Sequence, residues 1–139
     1  AAVCFDTAAL IYFSDRNPKY VGLAKPMFAA IDRGEKAGIT SYITLLEVLV
    51  KPLLQRRNDL AEEYRQLLLG SPSLHLHAVD RHVAEEAARI RAAHNFKTPD
   101  AIQLATAKLA RADVFVTNDA RLKTFPDVPV VVLEDHLGD

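Results

Sequence analysis

Hydrophobic positions change their period several times along the chain, and each change marks an element. Ala2-Val-Cys-Phe5 is a short apolar run closed by Asp6, the pattern of a buried strand. Thr7–Phe13, with Leu10, Ile11 and Phe13, predicts a short helix, and Asp15–Pro18 predicts a loop. From Lys19 to Lys36 the residues Val21, Leu23, Ala24, Met27, Phe28 and Ile31 recur at helical spacing. Gly38–Ser41 reads as a second strand between a helix stop and a helix start. Ser41 or Tyr42 then opens a very apolar helix containing Leu45, Leu46, Val48, Leu49 and Val50, with Pro52 near its end. A helix from about Asp59 to Leu69 runs into the turn Gly70–Ser73.

The second half continues the alternation. Leu74–Val79 alternates as a half-buried strand does, and Asp80 is placed to cap a helix over Arg81–His94. Thr98-Pro99-Asp100 predicts a helix start with Thr98 as cap, proline in the first helical position and an acid in the first turn. That helix runs to about Arg111. Val114–Val116 is a third buried strand, followed by Thr117-Asn-Asp119 and a short helix. Val128–Leu133, split by Pro129, is the last strand. Strands alternating with helices predict an α/β domain whose largely parallel sheet is covered on both faces.

Composition adds bounds. The 139 residues fit one domain, 1–139, and are 50% hydrophobic and 25% charged, the balance of a soluble globular protein. No apolar run approaches the roughly 18 residues that cross a bilayer, so no membrane association is expected. The apolar stretch before Asp6 is too short for a signal-peptide core, and a cytoplasmic location is expected. The single cysteine, Cys4, has no partner for an intramolecular disulfide and reads as a buried small thiol. The net charge of −1 argues weakly against a nucleic-acid partner. The balance turns positive if a metal neutralises a set of acids, and residues 81–123 hold eight basic side chains against five acidic ones.

Four acids carry the candidate chemistry. Asp6 ends the first strand and Asp119 follows the third buried strand, so both fall at the carboxyl edge of one sheet, where open α/β folds bind ligands. Two carboxylates there repel each other unless something positive lies between them. Glu47 is the only charge between Thr40 and Val50; a helix apolar on nearly every side predicts burial, and a buried carboxylate requires an arginine or a metal. Asp100, taken alone, is explained as a helix-start acid, and caps or solvated turns explain Asp6 and Asp119 individually. Carboxylates without a Cys or His set suit a hard cation, Mg²⁺ or Mn²⁺, and metal-assisted phosphodiester hydrolysis.

These residues resemble a known family. Phe5-Asp-Thr-Ala-Ala-Leu-Ile11, Ile43-Thr-Leu-Leu-Glu47-Val-Leu, Lys97-Thr-Pro-Asp100-Ala-Ile-Gln-Leu-Ala-Thr-Ala107 and Phe115-Val-Thr-Asn-Asp119 are similar, in order and spacing, to the four acid motifs of PIN domains. The resemblance covers nearly the whole chain. It implies a three-layer α/β/α sandwich and a Mg²⁺- or Mn²⁺-dependent endoribonuclease, with RNA as substrate. It further implies a VapC-type toxin, homodimeric and held inactive by an antitoxin. Carried over, Asp6 and Asp100 are the main metal ligands, Asp119 completes the cluster, and Glu47 holds metal-bound water or a second ion. Thr7 and Thr117 fall where the family has hydroxyls that brace the acids.

Other signals read as structural. His75 and His77 share a strand face with His82 nearby, which suggests zinc less than a solvated face. His94-Asn-Phe96 reads as an inter-helix connection, and Arg56-Arg57 as a solvated helix end that is also placed to meet RNA phosphate. Competing functions are a non-toxin RNA-processing nuclease, a PIN-like binding or assembly module, and a phosphoryl acceptor built on Asp6. The last lacks the paired acids beside Asp6 and the lysine after a later strand.

Overall fold

The computed structural model describes residues 2–14 and 18–137. Residues 15–17 of the loop expected at Asp15–Pro18 lie outside the described residues. Five strands, β1 (Ala2–Phe5), β2 (Ala37–Ser41), β3 (Leu74–His77), β4 (Val114–Thr117) and β5 (Val130–Val132), form one sheet in the order β3-β2-β1-β4-β5. Every pairing is parallel; Cys4 lies opposite Ile39 on one side and Phe115 on the other. Among the described residues six α-helices cover the sheet: α1 (Thr7–Ser14), α2 (Val21–Asp32), α3 (Tyr42–Leu54), α4 (Asn58–Leu69), α5 (Arg81–His94) and α6 (Thr98–Leu109). Short 3-10 turns follow β4 at Ala120–Thr124 and β5 at Leu133–His136.

Alternation along β1 shows why both faces need cover. Cys4 packs with Ile39, Phe115, Leu104 and the α5 residues Val83, Ala87 and Ile90. Val3 and Phe5 point the other way, into Leu10, Phe28, Ile31, Val48, Tyr64 and Leu68 of α1–α4. The result is three layers, α5 and α6 below and α1–α4 above, as the alternating pattern predicts. Cys4 is fully buried, and burial pushes its thiol pKa up, as a structural thiol requires.

Several ends differ from expectation for local reasons. β3 stops at His77 rather than Val79, and β5 spans only Val130–Val132. Asp80 caps α5 as expected, accepting from Val83 N at 2.9 Å. Ser41 caps α3, accepting from Ile43 N. Thr98 is not the cap of α6; that place belongs to Lys97, and the Thr98 hydroxyl accepts from Arg91 Nη1 at 3.0 Å. Arg91 Nε also donates to Phe96 O, so one side chain fixes the connection in front of Asp100. In that connection Asn95 is left-handed (φ 58°), and the His94 ring stacks on Phe96.

The apolar helix α3 departs most from expectation. Only Thr44, Val48 and Pro52 are buried along it, while Leu46 (61% exposed), Leu54 (78%), Tyr42, Val50 and Leu53 face outward. Glu47 is exposed too, so the expected burial of its carboxylate is corrected. Among the described residues no helix is long and apolar enough to cross a membrane.

Candidate active site

The strand order places the switch point between β1 and β4, whose chains leave the sheet in opposite directions. Asp6 immediately follows β1 and Asp119 follows β4 by two residues. α3 springs directly from β2, so its first turns, with Thr44 and Glu47, lie at the same carboxyl edge. α6 runs the opposite way: it leads through Asp113, whose N–H bonds Ala2 O at the start of β1. Its other end, with Asp100, therefore lies at the carboxyl edge. Asp6, Glu47, Asp100 and Asp119 all line one cleft of about 540 Å³, together with Thr7, Gln103 and Asn118. Ile11, Tyr12, Pro99 and Ala120 give it an apolar wall.

Each acid is held differently. Asp6 Oδ1 accepts from Ala9 N at 3.0 Å, and Oδ2 accepts the Thr117 hydroxyl proton. Thr117 in turn accepts from Asp119 N at 3.1 Å, which ties the two strand ends together. Burial raises the Asp6 carboxyl to about 6; the bonds from Thr117 and Ala9 oppose this, and the charges of Asp100 and Glu47 add to it. Asp100 is also raised, by burial and then by Asp119, with Arg121 partly offsetting. Glu47 accepts from Thr7 Oγ1 at 2.7 Å; among the described residues no arginine pairs with it, and its charge is near enough to act on Asp6. Asp119 accepts from the Arg121 guanidinium and from Arg121 N, and these bonds hold its carboxyl below the usual range.

Three of the acids therefore influence Asp6 or one another as like charges, with Arg121 as the nearby counter-charge on Asp119. The donor set is all carboxylate: no His or Cys is among the described residues lining the cleft. That chemistry fits a hard divalent cation. As the side chains stand, no three such groups among the described residues come close enough to ligate one ion, and Asp119 is turned onto Arg121. Ligation by all four requires side-chain rotation.

All four acids expected from the sequence line the one cleft, with the expected hydroxyls beside two of them. Gln103, not expected there, is 2% exposed and donates to Thr44 Oγ1 at 2.6 Å. Its signal was the one used for Glu47: a lone polar residue in the apolar run Ala101–Ala105, three positions after Asp100 on the same helix face. Elsewhere, Arg57 is engaged by Asp59 at 3.0 Å, and His77 and His82 line a separate shallow pocket with Asp80.

A sheet of this order with acids gathered at its switch point defines a class of α/β proteins that act on ligands at the strand ends. The PIN domain family matches residues 3–128, and the chain belongs to that family. None of the curated proteins matches it. Among solved structures it is similar to a toxin-antitoxin complex from Klebsiella pneumoniae, with TM-score 0.68 and 25% identity over 94% of this chain and 97% of that one. It also resembles VapBC2 from Rickettsia felis bound to a DNA fragment from their promoter (TM-score 0.76, 13% identity, 95% and 98% covered). FitAcB from Neisseria gonorrhoeae gives TM-score 0.70 at 21% identity, with 97% and 99% covered. At those lower identities the last two speak for the fold alone.

Proposed function

We propose that residues 1–139 form a single nuclease domain that hydrolyses RNA phosphodiester bonds with Mg²⁺ or Mn²⁺, as the toxin of a toxin–antitoxin pair. The observation that carries this reading is the lining of one cleft by Asp6, Glu47, Asp100 and Asp119 at the switch point of a PIN fold. Asp6 and Asp100, the two acids whose protonation is favoured by burial and neighbouring charge, are the main ligands; Asp119 and Glu47 complete the set. A cation bound there polarises a phosphodiester oxygen and lowers the pKa of an attacking water. Thr117 keeps Asp6 oriented, and Thr7 keeps Glu47 facing the cleft. Arg121 now pairs with Asp119; were Asp119 to serve as a ligand, its guanidinium would be free to meet RNA phosphate.

The toxin reading is supported by similarity to a toxin-antitoxin complex across almost the full length of both chains. The outward apolar side chains of α3 suit association with another protein, and we propose an antitoxin partner, a homodimer and a cytoplasmic location. The test is cleavage of a fluorescent RNA by purified, partner-free protein. Cutting with Mn²⁺ that stops with EDTA and is absent in folded Asp6→Asn and Asp100→Asn supports the reading. Cutting that persists in those variants overturns it.

A further inference from the structure

A chain of hydrogen bonds runs beneath the cleft, and proton counting fixes its direction. Each threonine hydroxyl has one proton to give and lone pairs to accept with. Thr40 Oγ1 donates to Phe5 O at 2.9 Å, which commits its proton. The 2.8 Å contact between Thr40 and Thr44 must then be a donation from Thr44. Thr44, its proton committed, accepts from Gln103 Nε2 at 2.6 Å. The same amide nitrogen reaches Thr7 Oγ1 at 3.4 Å. With both hydroxyl oxygens facing an N–H donor, the Thr7 proton goes to the stronger, charged acceptor, Glu47 Oε1 at 2.7 Å, rather than to Thr44 at 3.2 Å.

One atom in this network has no protein partner among the described residues: the buried amide oxygen Gln103 Oε1. Turning the amide over would set that oxygen against Thr44, whose proton is already given to Thr40, and would strand an NH₂ group with two unpaired donors, the costlier arrangement. It would also draw the Thr7 proton away from Glu47. The orphaned oxygen is thus the cost of presenting NH₂ to the hydroxyls, a local conflict of the kind that gathers at functional sites.

We propose that Gln103 is a positioning residue: its buried amide orients the Thr7 hydroxyl so that Thr7 holds the Glu47 carboxylate toward the metal cleft. This rests on the metal-dependent reading above. Gln103 lies on α6 three residues from Asp100, while Thr44 and Glu47 share one face of α3, so the amide also sets the spacing of two acid-bearing helices.

The test is Mn²⁺ titration by calorimetry, with melting temperature measured alongside. Wild type, Q103M, T7V, T7S and the Q103M/T7V pair are compared. Q103M keeps volume but removes the donor and is expected to weaken Mn²⁺ binding about tenfold, the usual effect of losing a group that orients a ligand. T7V is expected to do the same, and T7S to bind as wild type. The pair is expected to bind no more weakly than either single variant, because both break one path. Q103L, branched where Q103M is linear, produces the same chemical loss if Q103M fails to fold. A wild type that binds Mn²⁺ alongside Q103 variants that bind equally well overturns the proposal alone. Losses that multiply in the pair also overturn it. A wild type that takes up no Mn²⁺ overturns the proposal and the metal reading together.

Discussion

Asp6 is held in its charged form against burial and against two neighbouring carboxylates, and this has a consequence for stability without metal. Its pKa, raised to about 6 from an ordinary 3.8, means the folded protein binds a proton there before the unfolded chain does. Stability contributed by such a proton is present below the unfolded pKa and falls as pH rises through the window between the two values. Asp100 acts in the same direction. Asp119, held low by Arg121, acts in the opposite sense, but in more acid conditions. Thermal melts in EDTA are therefore expected to show a higher melting temperature at pH 5.5 than at pH 7.5. A flat or reversed trend over that range contradicts the account. Asp100→Asn removes one repelling charge and is expected to melt higher than wild type without metal, while gaining less from Mn²⁺. A lower apo melting point with an intact metal response would return Asp100 to the role of helix-start acid. At this scale the four acids are legible together rather than singly: cap, turn and helix-start roles explain Asp6, Asp119 and Asp100 one by one, whereas the order and spacing of all four resemble the acid motifs of PIN domains. The reason given for Glu47 was wrong even so. Burial was inferred from an apolar helix, whereas the carboxylate is exposed and braced by Thr7.

That error belongs to the element. Periodicity reports which side chains are apolar but not what they face, and α3 carries apolar residues on its solvent side as well as its core side. Thr98 departs from its expected capping role for a different reason. Its hydroxyl is capable of capping, but Arg91, seven residues back, takes it instead. Only the packing of α5 on α6 brings the two together. The same helix pair is joined by Glu86, 8% exposed, which accepts from Lys108 Nζ at 2.7 Å and Arg89 Nε at 3.0 Å. These bonds, Lys108 first, hold the Glu86 carboxyl below its usual range. Glu86→Gln is expected to cost about 1–2 kcal/mol, since it weakens charge-assisted bonds whose cation is partly solvated. Its melting temperature is expected to drop while Mn²⁺ affinity stays at the wild-type value, because Glu86 lies outside the cleft. A parallel loss of affinity would show that the α5–α6 contact, rather than the Gln103 network, sets the position of Asp100.

For the whole molecule, the alternation of strands and helices predicted a parallel sheet covered on both sides, and the five parallel strands are that sheet. Strand order was not legible, since pattern gives elements and not neighbours. The gathering of Asp6 and Asp119 at one switch point followed only once β1 was seen between β2 and β4. The proposed homodimer rests on the resemblance and on the outward apolar side chains of α3. Sedimentation of the partner-free protein at tens of micromolar is expected to show a dimer, and a monomer at that concentration contradicts the proposed assembly. The central claim, that four carboxylates from four separate elements form one metal centre, is tested most directly by crystals grown with Mn²⁺ and measured for anomalous scattering. The account predicts a peak in the cleft between Asp6 and Asp100, with Asp119 turned away from Arg121. A cleft without a peak at saturating Mn²⁺, Asp119 still bound to Arg121, would contradict it.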